Sequence, residues 1–419
     1  MTAIDRTVFE CLRFTTAMAD RLVTGSRMSG PAFLENPYDE YARLRARGEV
    51  IRSFSIGGWN VVGFEAVRDA MRDPRFGVDV RKSPFVDRIV RLVSRGRPFR
   101  MLEEPTMLNV DPPDHTRLRR LARQGFLHRY VCSLEPKIEG LVEECLATVQ
   151  GGTFDLMDTL ARPLPANVIA DILGVPREDR GRFQVWSELI AKNGRNIEYD
   201  ALQRTDAVFN ELIDYLAQIT DAKRADPGDD LISHLIAAEE DGDRLSADEI
   251  HATSALLLIA GHETTTRLIG NAIWLLLGHP EQLELLRADP TLMPNAVEEA
   301  LRFEPPVQHM TRIALEDMDF HGVHIRKHQL CEVYIGSANR DPEANPNPDV
   351  FDIRRDKIQH VGFGYGIHLC LGAELARLEA RIALTMLLDR FPSLGLTSAT
   401  PAWGDSTFVR GLDELVLAA

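Results

Sequence analysis

His360-Val361-Gly362-Phe363-Gly364-Tyr365-Gly366-Ile367-His368-Leu369-Cys370-Leu371-Gly372 sets three glycines between larger residues and then delivers a cysteine. The run that follows, 373–388, is rich in Ala, Leu, Glu and Arg, all strong helix formers. Cys370 therefore stands just ahead of a predicted helix. The unpaired N–H groups and positive dipole end there favour a thiolate over a thiol. Gly362, Gly364, Gly366 and Gly372 allow the backbone to turn sharply and to approach something flat and bulky. A lone cysteine of this kind is ordinarily a small buried hydrophobe beside a helix cap. In this glycine-rich setting, with a cation-capable His368 beside it, the thiolate suits an axial position on haem iron.

The spacing Phe363-Gly364-x-Gly366-x-His368-x-Cys370-x-Gly372 resembles the haem-binding signature of the cytochrome P450 family. Six fixed positions in ten residues are far more specific than an isolated glycine motif. The resemblance implies a mainly α fold with a smaller β-rich lobe. It implies a haem-thiolate monooxygenase inserting one oxygen atom from O2 into a small hydrophobic organic molecule, most often by C–H hydroxylation. Haem b would be the cofactor, with Cys370 as the iron ligand and Phe363, Gly364 and Gly372 packing the loop against it.

Composition agrees with an ordinary globular protein: 44% hydrophobic and 26% charged residues in a chain of 419. A net charge of −15 argues against broad nucleic-acid binding. The five cysteines, Cys11, Cys132, Cys145, Cys331 and Cys370, are unclustered and make no disulfide framework, which points to a reducing cytoplasm. Residues 8–23 are broken by Glu10, Arg13, Asp20 and Arg21, and 252–277 contain His262, Glu263, Arg267 and Asn271, so neither stretch reads as a membrane span. The chain looks like the soluble bacterial type of the family. Residues 1–30 read as a partly ordered leader, and 31–419 as a single cytochrome P450-like haem domain, expected to be a monomer.

In chain order, Val50–Phe54 and Gly58–Val62 read as two short strands around the Gly57-Gly58 turn. Residues 73–108, punctuated by Pro74, Pro84, Pro98 and Pro105, read as a long loop. Asp111-Pro112-Pro113-Asp114-His115-Thr116-Arg117-Leu118-Arg119 then opens a helix on which His115 and Arg119 share a face. This segment resembles the family's haem-propionate site, and Arg312, further on, resembles a second propionate ligand. Arg117, Arg120 and Arg123 form a basic patch, suited to an acidic redox partner such as a ferredoxin.

Ser246-Ala247-Asp248-Glu249 has the spacing of a capping box, and the helix it starts ends at Gly278-His279-Pro280. In its middle, Ala260-Gly261-His262-Glu263-Thr264-Thr265 replaces an apolar run with residues poorly suited to a helix interior. The local explanation is a threonine bonding back to a carbonyl. The functional one is that small residues leave room for a ligand while acid and hydroxyl relay protons. The string resembles the family's oxygen-activation motif. By that resemblance Thr264 hydrogen-bonds the oxygen being activated and Glu263 belongs to the proton-delivery network.

Glu299 and Arg302 match the family's structural E-x-x-R pair; the arginine that usually joins them is replaced by Val350, leaving Arg354 or Arg340 to compensate. Phe85, Leu257, Ala260, Val307, His309, Met310 and Phe408 are the expected substrate-side residues. Electrons would come from NAD(P)H through ferredoxin reductase and ferredoxin. Two alternatives share the fold: a haem-binding sensor or carrier without turnover, and a peroxide-driven peroxygenase. Peroxygenases of this fold typically carry arginine-proline in place of the acid-threonine pair, so Glu263-Thr264 favours dioxygen.

Overall fold

The computed structural model describes residues 28, 30–193, 199–240 and 243–419, so most of the expected leader lies outside the described residues. The helix Ala247–Gly278 is the axis of the molecule. Ser246 caps it as expected: its hydroxyl accepts from Glu249 N–H at 3.2 Å, and Glu249 Oε2 accepts from Ser246 N–H at 2.8 Å. The helices Glu135–Leu146, Pro163–Leu173, Tyr199–Ala225, Met293–Phe303 and Ala373–Arg390 contribute to one large apolar core with it. This helix buries residues around most of its circumference, polar ones such as His262 and Asn271 included, and so it sits in the middle.

A second core lies under a five-stranded sheet. Val50–Ser53 and Gly58–Val61 pair antiparallel, matching the expected hairpin. Leu330–Tyr334 then runs parallel to Gly58–Val61 and antiparallel to His309–Ala314, which also pairs with Phe76–Gly77. Only glycine serves at position 58, because a Cβ there would lie 1.8 Å from the Leu330 carbonyl oxygen. The C-terminal strands close the fold as two small sheets, one of them recruiting Thr153–Asp155 from far upstream.

Residues 73–108 are not a plain loop. They contain the helices Pro84–Ser94 and Arg100–Glu103. Pro84 occupies the first turn, where a missing N–H costs nothing. The prolines that suggested a loop therefore punctuate helices.

Glu379, on the helix after Cys370, is buried among apolar residues, and its Oε2 has no hydrogen-bond partner. Burial pushes its carboxyl up to about 8. An unfolded glutamate titrates near ~4.3, so the folded state holds a proton that the unfolded state loses between these values. Stability from this site is complete below the lower value and falls as pH rises toward the upper one. Glu379→Gln, uncharged throughout, is expected to flatten that slope and to stabilise the protein on the order of 4 kcal/mol at pH 8, with little gain near pH 4. Denaturant midpoints of both proteins across this range measure it; parallel pH profiles would show that Glu379 is ionised in the fold.

Candidate active site

The cysteine loop is closed by its own backbone. Gly364 N–H donates to Val361 O at 2.8 Å, Cys370 N–H to Phe363 O at 2.8 Å and Leu369 N–H to Gly366 O at 3.1 Å. Gly364 and Gly366 take φ of 75° and 71°, left-handed values open to glycine. A Cβ on Gly366 would also come within 2.8 Å of Met71 O. The helix begins at Ala373, with Gly372 at its N-cap.

Cys370 is exposed, yet the protein packed around it desolvates the thiol and pushes its pKa up, against the Gly372 N–H, Arg119 and Arg377, which pull it down. The expected dipole effect is thus outweighed: the helix start does not by itself hold a thiolate.

The base of the loop rests on a group that the sequence reading did not single out. His360 Nδ1 accepts from Gly362 N–H at 3.1 Å, so Nε2–H is left to donate to Glu298 Oε2 at 2.9 Å. Arg377 donates to the same carboxylate at 2.6 and 3.0 Å and lays its guanidinium 4.4 Å from the Phe363 ring centre. Burial opposes ionisation of Glu298, but His360 and Arg377 outweigh it and hold the carboxyl at about 2.

Beside the loop, the His115 and His368 rings lie 4.0 Å apart. His115 is 1% exposed, and neither of its ring nitrogens has a hydrogen-bond partner. Burial, then Arg119, pushes His115 down; burial, then His115, Arg312 and Arg119, pushes His368 down to about 3. His368 is therefore neutral rather than cationic. Arg312 is 2% exposed and donates to the Thr311 carbonyl at 3.1 Å; burial lowers its guanidinium to about 10. Arg119 donates to the Leu369 carbonyl, one residue before the cysteine. Buried donors with this much unused capacity suit a ligand carrying carboxylates.

Ala260 is exposed in the middle of the long helix, whose neighbouring turns are largely buried. Thr264 Oγ1 donates back to Ala260 O at 2.8 Å, as the local explanation required, and the helix continues through it. Glu263 accepts from Arg267 at 3.2 and 3.4 Å, and Arg267 also donates to Asp413 Oδ1 at 2.8 Å and to Leu412 O. His262 turns the other way, within 2.7 Å of Ser187 Oγ and 3.2 Å of Arg162 O.

The cytochrome P450 family model matches residues 183–396. Cytochrome P450 107B1 of Saccharopolyspora erythraea is 42% identical over 392 residues, covering 92% of this chain and 95% of that protein. The cytochrome P450 monooxygenase PikC of Streptomyces venezuelae is 42% identical over 399 residues, covering 92% of each. The crystal structure of the myxobacterial cytochrome P450 CYP267B1 in complex with myristic acid superposes with a TM-score of 0.86 at 37% identity, covering 93% of this chain and 98% of that one. The chain belongs to the cytochrome P450 family. It is a monooxygenase that hydroxylates small substrates, with haem iron as cofactor and O2 as co-substrate.

Within this P450, Glu299 and Arg302 are fully buried and paired at 2.7 Å on both sides of the carboxylate. The third partner is neither Arg354 nor Arg340. Arg355 Nε donates to Glu299 Oε1 at 3.0 Å, and Arg355 Nη2 and Arg302 Nη2 both donate to the Val350 carbonyl, at 2.7 and 3.1 Å. Arg340 instead stacks 3.4 Å from the Phe303 ring centre and pairs with Asp349 at 2.9 Å.

The substrate-side residues are only partly brought together. Val307 bridges to Val409, Gln308 N–H donates to Phe408 O at 2.9 Å, and the His309 and Phe408 rings lie 5.5 Å apart. His309 Nδ1 is tied to Glu332, and Met310 packs partly into the sheet core. Phe85 lies over the hairpin turn, near Gly57. Leu257 is buried in the helical core, whereas Leu256 and Ile259 are half-buried. At about 100° per residue Leu256 lies in line with Ala260 and Glu263, Leu257 borders the same face on its Thr264 side, and Ile259 borders it on its Glu263 side. The basic patch is smaller than expected, since Arg117 donates to the Glu249 carboxylate at the cap of the long helix. Among the described residues no helix is long and apolar enough to cross a membrane.

Proposed function

We propose that Cys370 would supply the thiolate that holds the iron of haem b, and that His115, Arg119, Arg312 and His368 would hold its propionates. The observation that carries this reading is His115, buried with two unpartnered ring nitrogens in a corner that holds the buried Arg312 and the half-buried Arg119 beside the cysteine loop. Ala260, Phe363, Gly364 and Gly372 would pack against the macrocycle. Haem, when bound, supplies the redox chemistry that inserts one oxygen atom of O2 into the substrate.

The remaining steps belong to side chains. Thr264 holds its hydroxyl proton against Ala260 O at rest and can turn it toward the exposed face of the helix. Glu263, steadied by Arg267, is the acid that passes protons along that face. Leu256, Leu257, Ile259, Val307, Met310 and Phe408 offer apolar contact to a small hydrophobic substrate, a class to which the myristic acid bound by the myxobacterial relative belongs. Phe85 would border the entrance, and His309, oriented by Glu332, is the polar group on this side. We further propose one haem domain over 31–419 behind a leader at 1–30, a monomer in the cytoplasm. Electrons would pass from NAD(P)H through ferredoxin reductase and ferredoxin, docking over Arg120 and Arg123.

Thr264→Ala is expected to keep the haem and the fold while diverting most of the consumed electrons into hydrogen peroxide. Product and peroxide are measured against NADPH consumed in a surrogate ferredoxin system. Unchanged coupling would remove Thr264 from the relay, and no reduction of the wild-type protein by any ferredoxin would remove the partner.

A further inference from the structure

Glu298 stands outside the loop that carries Cys370, on the helix Met293–Phe303. Two connections leave its carboxylate, and both end on that loop. Oε2 accepts from His360 Nε2–H at 2.9 Å, and His360 Nδ1 accepts from Gly362 N–H at 3.1 Å. Oε1 and Oε2 also accept from Arg377 Nε and Nη2 at 2.6 and 3.0 Å, and the Arg377 guanidinium lies 4.4 Å from the Phe363 ring centre. Phe363 O in turn accepts from Cys370 N–H at 2.8 Å. The loop has other supports: Asn339 Oδ1 accepts from Val361 N–H at 2.9 Å, and Asn339 Nδ2 donates to Leu301 O at 3.1 Å.

The hydrogen bonds also fix the charges. A backbone N–H can only donate, so His360 Nδ1 carries no proton and the ring is neutral, with its one N–H turned to Glu298. The Glu298 carboxyl, held at about 2, is ionised at neutral pH. Among the described residues it is the one carboxylate paired with Arg377, so the group sums to zero. Arg377 is near enough to Cys370 to pull its thiol down. The path of the loop is supported elsewhere; the negative charge opposite Arg377 comes from Glu298.

We propose that Glu298 is a positioning residue that sets the reduction potential of the bound haem by cancelling the charge of Arg377 beside the cysteine loop. The proposal rests on the reading of Cys370 as the thiolate that holds the iron. Hydrogen bonds and charge around a ligating sulfur are a protein's means of tuning such a potential. A cation near the sulfur weakens its donation and favours reduced iron; an anion does the reverse. With the pair intact neither acts, and the protein needs a more strongly reducing electron donor than an uncancelled Arg377 would require.

The test is a spectroelectrochemical titration of the haem-loaded proteins, each checked for the thiolate signature of its reduced carbon monoxide complex. Glu298→Gln leaves Arg377 uncancelled and is expected to raise the potential. Arg377→Gln leaves the carboxylate uncancelled and is expected to lower it. The Arg377 side chain is 40% exposed, so water screens part of its field. Each shift is therefore expected to be about three-fold in the reduction equilibrium, roughly 30 mV for one electron. Glu298→Asp keeps the charge and is expected to stay near wild type. The double variant Glu298→Gln, Arg377→Gln is again neutral and is expected to return toward the wild-type potential, although it has lost more hydrogen bonds than either single variant. A merely structural role predicts the reverse, with the double variant displaced furthest. Single variants with the wild-type potential, or a double variant no closer to wild type than the singles, would overturn the proposal and leave the thiolate ligand standing. A wild-type protein without the thiolate signature would instead remove the reading on which the proposal rests.

Discussion

Replacing Cys370 by alanine is expected to leave a folded protein that no longer shows a thiolate-ligated haem and forms no product. The loop keeps its shape through main-chain bonds, including Cys370 N–H to Phe363 O, and alanine preserves each of them. Cys370 is exposed, so little packing is lost, and the unfolding free energy should stay within about 1 kcal/mol of wild type. His115, Arg119, Arg312 and His368 remain, so haem can still associate through its carboxylates. The reduced spectrum under carbon monoxide is the measurement. A thiolate signature surviving in Cys370→Ala would end the central assignment.

Glu299→Gln is expected to have the largest effect on stability. Glu299 Oε1 accepts from Arg302 Nη2, Arg355 Nε and Asp352 N–H at 2.7, 3.0 and 3.0 Å, and Oε2 accepts from Arg302 Nε at 2.7 Å. Glutamine removes the negative charge and leaves two guanidinium groups facing a neutral amide, with Arg302 fully buried. Removing one partner of a buried ion pair costs about 3–5 kcal/mol. Denaturant unfolding of the purified variant, or failure to accumulate folded protein, is the expected outcome. A loss under about 1 kcal/mol would mean that the pair does not hold this region together.

The parts of this protein legible in the sequence are those whose information is local. The cysteine loop, the capping box at Ser246 and the Gly57-Gly58 hairpin each declare themselves within a dozen residues, and each is where it was expected. The acid-threonine string was legible as a string, but not as an arrangement. Only the folded helix shows that Glu263 leans on Arg267 while His262 faces the opposite way. Which of Leu256, Leu257 and Ile259 face the site was not legible for a related reason: one position along a helix is a rotation of about 100°, and an unbroken apolar run gives no phase. Charge states were the least legible. His368 beside a cysteine suggests a cation, yet three neighbouring positive or titratable groups and burial keep it neutral. Arg355 was missed because its partners span positions 299 to 350, and only the path of the chain between them brings them within reach of one side chain.

That same arginine changes what position 350 means. Both guanidinium groups grip the carbonyl of Val350, while its side chain faces solvent with 53% of its surface exposed. The lock is written in main chain, and a substitution there cannot erase it. Natural variation at 350 should therefore be wide and carry little information about descent. For the experimenter it is a convenient handle: a fluorophore or spin label attached at 350 would sit close to a fully buried ion pair and report on its opening without taking part in it.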